Sequence, residues 1–340
     1  MQSSELDRAP YGRQSQKPQT TDPREDGASS DSRHNGETYY GRPVLKPSHY
    51  GQLIASYLFI GGIAGASQMI ATIADWCGDS EFIVRAGRYL SFGSIAAAPF
   101  FLIADLRTPE RWYNMLRIFR RTSTMSIGAW TLTGFGAGTG ITTALQFFAD
   151  RLRRPAYRHA ARVAALPATA AGAVVATYTG TLLGATSTPL WARANRFLPA
   201  LFGISAVATS TAALSLAAHT SGASERTKCQ LNKLALISAG AELVVSSAVD
   251  RHWQREKLRA PLNEQPIKTA YHAGYKTLGI AVPLILHGLG SMTGRRSSRS
   301  SIAAAAATLL GGYVLRSIIV HAGKGSAKRP EDYFTVTQAE

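Results

Sequence analysis

Charge is distributed along this chain in blocks. Residues 1–50 carry seven acidic and seven basic side chains, whereas residues 51–74, GQLIASYLFIGGIAGASQMIATIA, carry none. Further runs without Asp, Glu, Lys or Arg follow at 89–104, 122–149, 163–192, 197–224, 277–294 and 300–315, and the run at 234–249 is broken by Glu242 alone. A helix crossing the ~30 Å hydrocarbon layer of a bilayer needs about 20 predominantly apolar residues, with about 17 as a lower limit. The shorter runs reach that length if flanking residues such as Arg88, Lys233 and Arg316 lie along the helix and carry their charged heads out to water. The pattern predicts eight membrane-spanning helices, near 51–74, 87–106, 125–149, 162–184, 197–219, 231–250, 273–293 and 301–321. A soluble bundle would show a charged stripe on each helix, and these runs show none over 16 to 30 residues.

Residue choice within the runs agrees with packing in lipid. Gly61 and Gly65, Gly134 and Gly138, Gly136 and Gly140, and Gly180 and Gly184 each stand four apart, on one face of a helix, where small residues let two backbones approach. Residues 1–38 are rich in Ser, Gln, Asp, Arg, Gly and Pro and poor in large aliphatics, which predicts a disordered polar tail. An eight-helix membrane domain is expected over 39–321 and a second polar tail over 322–340. No apolar stretch of signal-peptide type precedes residue 51 and no twin-arginine leader is present, so the first span is expected to remain as an anchor.

The net charge of +16 and the mean hydropathy of −0.04 would suit a basic soluble protein. The average conceals a polar tail diluting Ala- and Gly-rich spans, and the basic excess is largely arginine in loops and at helix ends. Lipid phosphates account for it better than nucleic acid does. The two cysteines, Cys77 and Cys229, are too few for an iron–sulfur cluster, and no Cys/His cluster has zinc-site spacing, so no bound metal is expected.

Ionisable groups at membrane depth are costly and draw attention to function. Asp105 ends the second predicted span, Glu242 lies inside the sixth with Asp250 at its end, and His287 lies inside the seventh. Glu242 must be protonated, paired across helices or wetted by a cavity. It serves a proton relay, the polar wall of a binding cavity, or an interhelical hydrogen bond that fixes packing. His287 has no histidine partners at matching depth, which argues against haem. Before the first span, His49 and Tyr50 stand at the water–lipid boundary with Tyr57 two turns on. Such a pair can hydrogen-bond quinone carbonyls and exchange protons with them, or it can act as an aromatic-belt anchor.

Three segments together resemble the NrfD/PsrC family, the membrane subunits of polysulfide and related respiratory reductases. The first supplies Gly61, Gly62, Ala64 and Gly65, the second Asp105, Leu106, Pro109 and Arg111, and the third Ser123, Met125, Ser126, Gly128 and Trp130. PLWARANRFLPALF at 189–202 and the Glu242 helix are also similar. The resemblance implies an all-α integral membrane bundle of eight helices, in the cytoplasmic membrane of a bacterium. It implies a subunit that holds no cofactor of its own and passes electrons between the quinone pool, menaquinone or ubiquinone, and a partner iron–sulfur subunit. That partner in turn serves a catalytic subunit, often a molybdopterin enzyme, so the main catalytic centre is on another chain. The family's quinone site maps onto His49 and Tyr50, and its buried acidic residues onto Asp105 and Glu242, as proton-path or structural groups. A proton- or solute-conducting protein and a purely structural anchor are the rival readings.

Overall fold

A computed structural model describes residues 45–78, 80–106, 108–292 and 297–337, and the polar tail expected over 1–38 lies outside the described residues. The described chain is helical. Its long helices are α1 (Gln52–Trp76), α2 (Glu81–Ala104), α3 (Thr124–Leu152), α4 (Pro155–Gly184), α5 (Phe197–Thr220), α6 (Glu225–Arg255), α7 (Val282–Met292) and α8 (Ser298–Lys328), with a short α9 (Pro330–Thr337). Six of them, α1, α2, α4, α5, α6 and α8, are long and apolar enough to cross a membrane. The other two expected spans fall on α3, diluted by Gly and Thr, and on a composite segment. That segment runs from Ile267–Thr269 through a π-helix at Ala270–Ala281 into α7.

Polarity is inverted relative to a soluble bundle. Ile73, Phe100, Phe147, Val163, Val244, Ile285 and Leu310 face outward, while Ser67, Gln68, Ser91, Thr139, Thr142 and Ser210 are buried between helices. Apolar side chains cost nothing against lipid tails, and the buried hydroxyls of Ser91, Thr139, Thr142 and Ser210 find helix carbonyls instead of water. Ser91 donates to the carbonyl of Ala64 (2.8 Å), and Ser210 to that of Ile63 (3.0 Å), each tying α1 to a neighbour. The multi-pass bundle is therefore an all-α integral membrane protein.

Helix α1 packs against α2, α4, α5 and α8. Small residues make this central position tenable: Ala55, Ala64, Ala66 and Ala71 are fully enclosed. A methyl added to Gly65 would collide with the Gly172 carbonyl and sit 3.1 Å from the Ala176 nitrogen of α4. Of the expected glycine pairs, Gly65, Gly138, Gly180 and Gly184 abut a neighbouring segment closely, whereas Gly134 meets open space. Spacing of four marks a face but not which face is occupied.

Helix ends depart from the charge-free runs. Helix α2 starts at Glu81, ahead of 87, and α6 covers Glu225–Arg255, beyond 231–250 at both ends. Ser224 caps α6 by accepting from the Thr227 amide (3.3 Å). Helix α8 continues to Lys328. Charges are accommodated inside these helices by pairing. Arg85 meets Asp150 (2.9 Å), and Arg88 meets Asp75 (2.7 Å). The expectation that Arg88 and Arg316 reach out to water is corrected: they are 0% and 1% exposed and are bonded within the bundle, whereas Lys233 is exposed as expected.

Candidate functional site

Successive helices alternate in direction, so the bundle has an entry end, where α1 starts, and a far end. At the entry end, α1, α2, α3 and α4 with the 114–126 segment enclose a cavity of about 350 Å³. Tyr57 and Tyr178 contribute hydroxyls; Leu102, Met115, Ile118, Leu132 and Leu182 make the wall mostly apolar. A second hollow of about 380 Å³ shares Leu102, Met115, Ala129 and Leu132 with it, and continues past Pro99, Ile103 and Leu116 to the exposed Trp112 and Thr133. A mostly apolar chamber carrying two tyrosine hydroxyls and leading into an apolar channel suits a flat ring carrying carbonyls and a long hydrocarbon tail.

The covering segment is held by a small set of hydrogen bonds. Ser123 caps α3, accepting from the Ser126 amide (3.3 Å). The Ser126 hydroxyl donates to the Ile118 carbonyl (3.1 Å) and accepts from the Arg120 amide (3.0 Å). Opposite it, the Tyr178 hydroxyl donates to the Thr124 carbonyl. Gly128 is needed here for space, because a methyl at that position would overlap the Tyr178 ring.

The residues singled out from the sequence fall into two groups. His49, Tyr50 and Asp105 gather at the entry end. Asp105 caps the C-terminus of α2, and a methyl on Gly51 would lie 3.7 Å from its Oδ1. Burial holds the Asp105 carboxyl above the usual carboxylate range, partly offset by the positive charges of Lys324 and His49. Tyr50 stacks on the buried Trp191, with ring centroids 6.1 Å apart. Burial, and then the Asp105 charge, push the Tyr50 hydroxyl above its ordinary range. His49 is exposed and does not line the cavity. Tyr178 lies within electrostatic range of both Tyr57 and Tyr50, which connects this group to the chamber.

Glu242 lies apart, between α5, α6, α8 and the π-helix, and is 3% exposed. Arg316 of α8 donates to the Ser205 hydroxyl (2.5 Å) and to the carbonyls of Gly312 (3.0 Å) and Phe202 (3.2 Å). Ser205 in turn is within hydrogen-bonding range of Glu242. The Tyr275 hydroxyl is near Glu242 and Ser246 without a well-aligned bond. From there a polar column follows one face of α6 toward the entry end. Lys276 donates to Ser246 (2.9 Å) and pairs with Asp250 (2.9 Å), and Tyr271 donates to Asp250 (2.5 Å). Glu242, Ser246 and Asp250 stand four apart, hence on one face. His287 is buried in α7.

Tyr178 and Arg316 carried no functional signal in the sequence. Tyr178 sits in an unremarkable apolar run, and Arg316 flanks one. A Gly and an aromatic at matching depth on neighbouring helices could have suggested the Gly128–Tyr178 contact, but only with the packing known.

The sequence profile of the family described as Polysulphide reductase, NrfD matches residues 45–325. No curated protein matches the chain.

Proposed function

Because the chain belongs to the NrfD family, whose members are membrane subunits of quinone-linked oxidoreductase complexes, we propose that it is the quinone-reactive subunit of such a complex, exchanging electrons between the quinone pool and a partner iron–sulfur subunit. The observation that carries this reading is the chamber at the entry end, with two enclosed tyrosine hydroxyls and an apolar channel leading out along α2 and α3. A quinol gives up two protons and two electrons. Tyr57 hydrogen-bonds the ring, Tyr178, whose own proton goes to the Thr124 carbonyl, accepts a hydrogen bond from it, and Asp105 and His49, outside the chamber at the same end of the bundle, take protons toward water. The electrons go to a cluster on the partner, which docks at this end and serves a catalytic subunit of the molybdopterin type. The chain itself supplies binding, orientation and proton transfer, in the cytoplasmic membrane of a bacterium.

The column from Glu242 to Asp250 supports a second role in the same complex. Its carboxylates, hydroxyls and Lys276 form a chain of groups that can hand on protons from the middle of the bundle toward the entry end.

Quinol oxidation by the assembled complex tests both roles. Tyr57→Phe and Tyr178→Phe are each expected to lower kcat/KM about three- to tenfold, the cost of one hydrogen bond to the bound ring. His49→Ala is expected to slow turnover at unchanged quinol affinity. Values for both tyrosine variants within twofold of the parent would remove the quinone from this chamber. Glu242→Gln with normal quinol oxidation and normal proton release would reduce the column to a packing device.

A further inference from the structure

The far end of α1, α2, α3 and α4 encloses a second cavity, of about 290 Å³, that plays no part in the chemistry above. Asp75, Glu81, Arg85, Arg88, Gln146, Arg158, His159 and Arg162 line it, and Arg153 and Arg154 line an adjoining hollow beside Glu81, Arg85 and Asp150. Six guanidinium groups therefore face three carboxylates among the described residues. Asp75 is shared between Arg88 (2.7 Å) and Arg162 (3.6 Å); Asp150 takes Arg85, and Glu81 takes Arg158. Arg153 and Arg154 have no ion pair among the described residues.

Arg88 is 0% exposed and donates to Gln146 and Asp75, while its Nε is buried without an acceptor; the Nε of Arg162 faces Asp75 at 3.6 Å. With six guanidinium groups set against three carboxylates among the described residues, and Arg153 and Arg154 unpaired there, the wall carries a positive excess that favours an anion. Helix α4 also begins here, at Pro155, and adds the partial positive charge of its N-terminus. Next to this cavity runs a groove formed by Trp76, Ala160 and Val163, sharing His159 and Arg162 with it. Trp76 and Val163 are 55% and 65% exposed, and the Arg162 guanidinium lies 5.1 Å from the centre of the Trp76 ring.

We propose that the far-end cavity binds the phosphodiester of an anionic membrane lipid, with an acyl chain along Trp76 and Val163. Forked guanidinium donors match phosphate oxygens in pairs, and the apolar groove beside them distinguishes a lipid from free phosphate. The lipid cements four helix ends that would otherwise repel one another through their excess arginine.

The test uses the full-length chain in its native complex, purified in neutral detergent and exposed to phosphatidylglycerol, phosphatidylcholine or inorganic phosphate. Native mass spectrometry counts retained lipid, and thermal denaturation reads the stabilisation. Phosphatidylglycerol should be retained and should raise the denaturation midpoint, with phosphatidylcholine and inorganic phosphate ineffective. Arg154→Gln/Arg158→Gln, both exposed positions, should weaken retention about tenfold, while Arg255→Gln at the entry end should not. Trp76→Ala, which leaves every arginine in place, should also lose the lipid. Equal retention of the two lipids, full stabilisation by inorganic phosphate, or undiminished retention in both the arginine and the Trp76 variants would each overturn the proposal.

Discussion

The same four helices end in two cavities of similar size and opposite chemistry. At the entry end, about 350 Å³ is bounded by leucine, methionine and tyrosine hydroxyls, and at the far end about 290 Å³ is bounded by arginine and carboxylate. One end of a helix quartet can thus accept a neutral ring that must come and go, while the other is suited to a charged group that stays. Neutral donors release a ligand readily because no ion pair has to be broken. At the far end the buried Arg88–Asp75 pair, tied to Gln146, holds its geometry and resists rearrangement. Exchange and permanence are separated by the thickness of the bilayer.

Substitutions at each end can break this contrast. The largest effect is expected for Arg88→Leu, which leaves Asp75 with Arg162 alone. Removing one partner of a buried pair costs about 3–5 kcal/mol, so the complex should denature markedly earlier while quinol affinity in the surviving fraction stays normal. A loss of quinol affinity in that fraction would mean that the two ends are coupled. Next comes Gly128→Ala, which drives a methyl into the Tyr178 ring. It is expected to lower quinol oxidation about 100-fold, the penalty of a displacement near 1 Å at a reacting site. Its effect on the thermal midpoint should be much smaller, and equal losses of stability and turnover would deny the chamber its special role. Smaller still is Glu81→Gln. Its pair with Arg158 is exposed on both sides, so stability should change by less than about 1 kcal/mol, and less again at high salt.

The smallest effect concerns charge at the entry end, which lies outside the chamber. Asp332 of α9 sits beside Arg329, Glu264 and Glu331, and burial raises its carboxyl to about 6, with Ser326 and Arg329 opposing the shift. A raised acid is more protonated folded than unfolded, so its stabilising contribution is complete below its ordinary value near 4 and is lost as pH rises through about 6. Hydrogen exchange in Pro330–Thr337, corrected for intrinsic rates, should therefore slow on going from pH 7.5 to 5.5. Asp332→Asn should abolish that difference. A pH-independent exchange rate in the parent would exclude Asp332 as the controlling group.

The bundle was legible because lipid imposes a simple demand: no unpaired charge over a helix length. That demand located the spans, and it flagged Glu242, whose neighbours in its own helix offer nothing. It blurred the helix ends for the same reason, since Arg88 ends a charge-free run while lying well inside α2. Its partners, Asp75 and Gln146, lie on other helices, so a rule written for isolated helices assigns it to water. The candidate site divides likewise. Tyr57 stood out by its place near the start of α1, whereas Tyr178 belongs to the site through the depth at which α4 passes α3. Neither the Gly128–Tyr178 contact nor the Arg316–Ser205–Glu242 cluster has a local signature.

The π-helix at Ala270–Ala281 has a consequence for how this chain tolerates change. A π-turn is a helix that has taken in an extra residue without unwinding, the additional backbone being stored as a wider coil. Here the store faces Asp250 and Glu242 through Tyr271 and Tyr275. Insertions and deletions are ordinarily confined to loops, since one residue gained in a packed helix rotates everything beyond it. A segment that already carries surplus backbone can lose a residue by tightening, leaving Val282–Met292 in register. Related chains are thus expected to vary in length within this buried stretch, and a single deletion there should be tolerated where the same deletion in α1 would not.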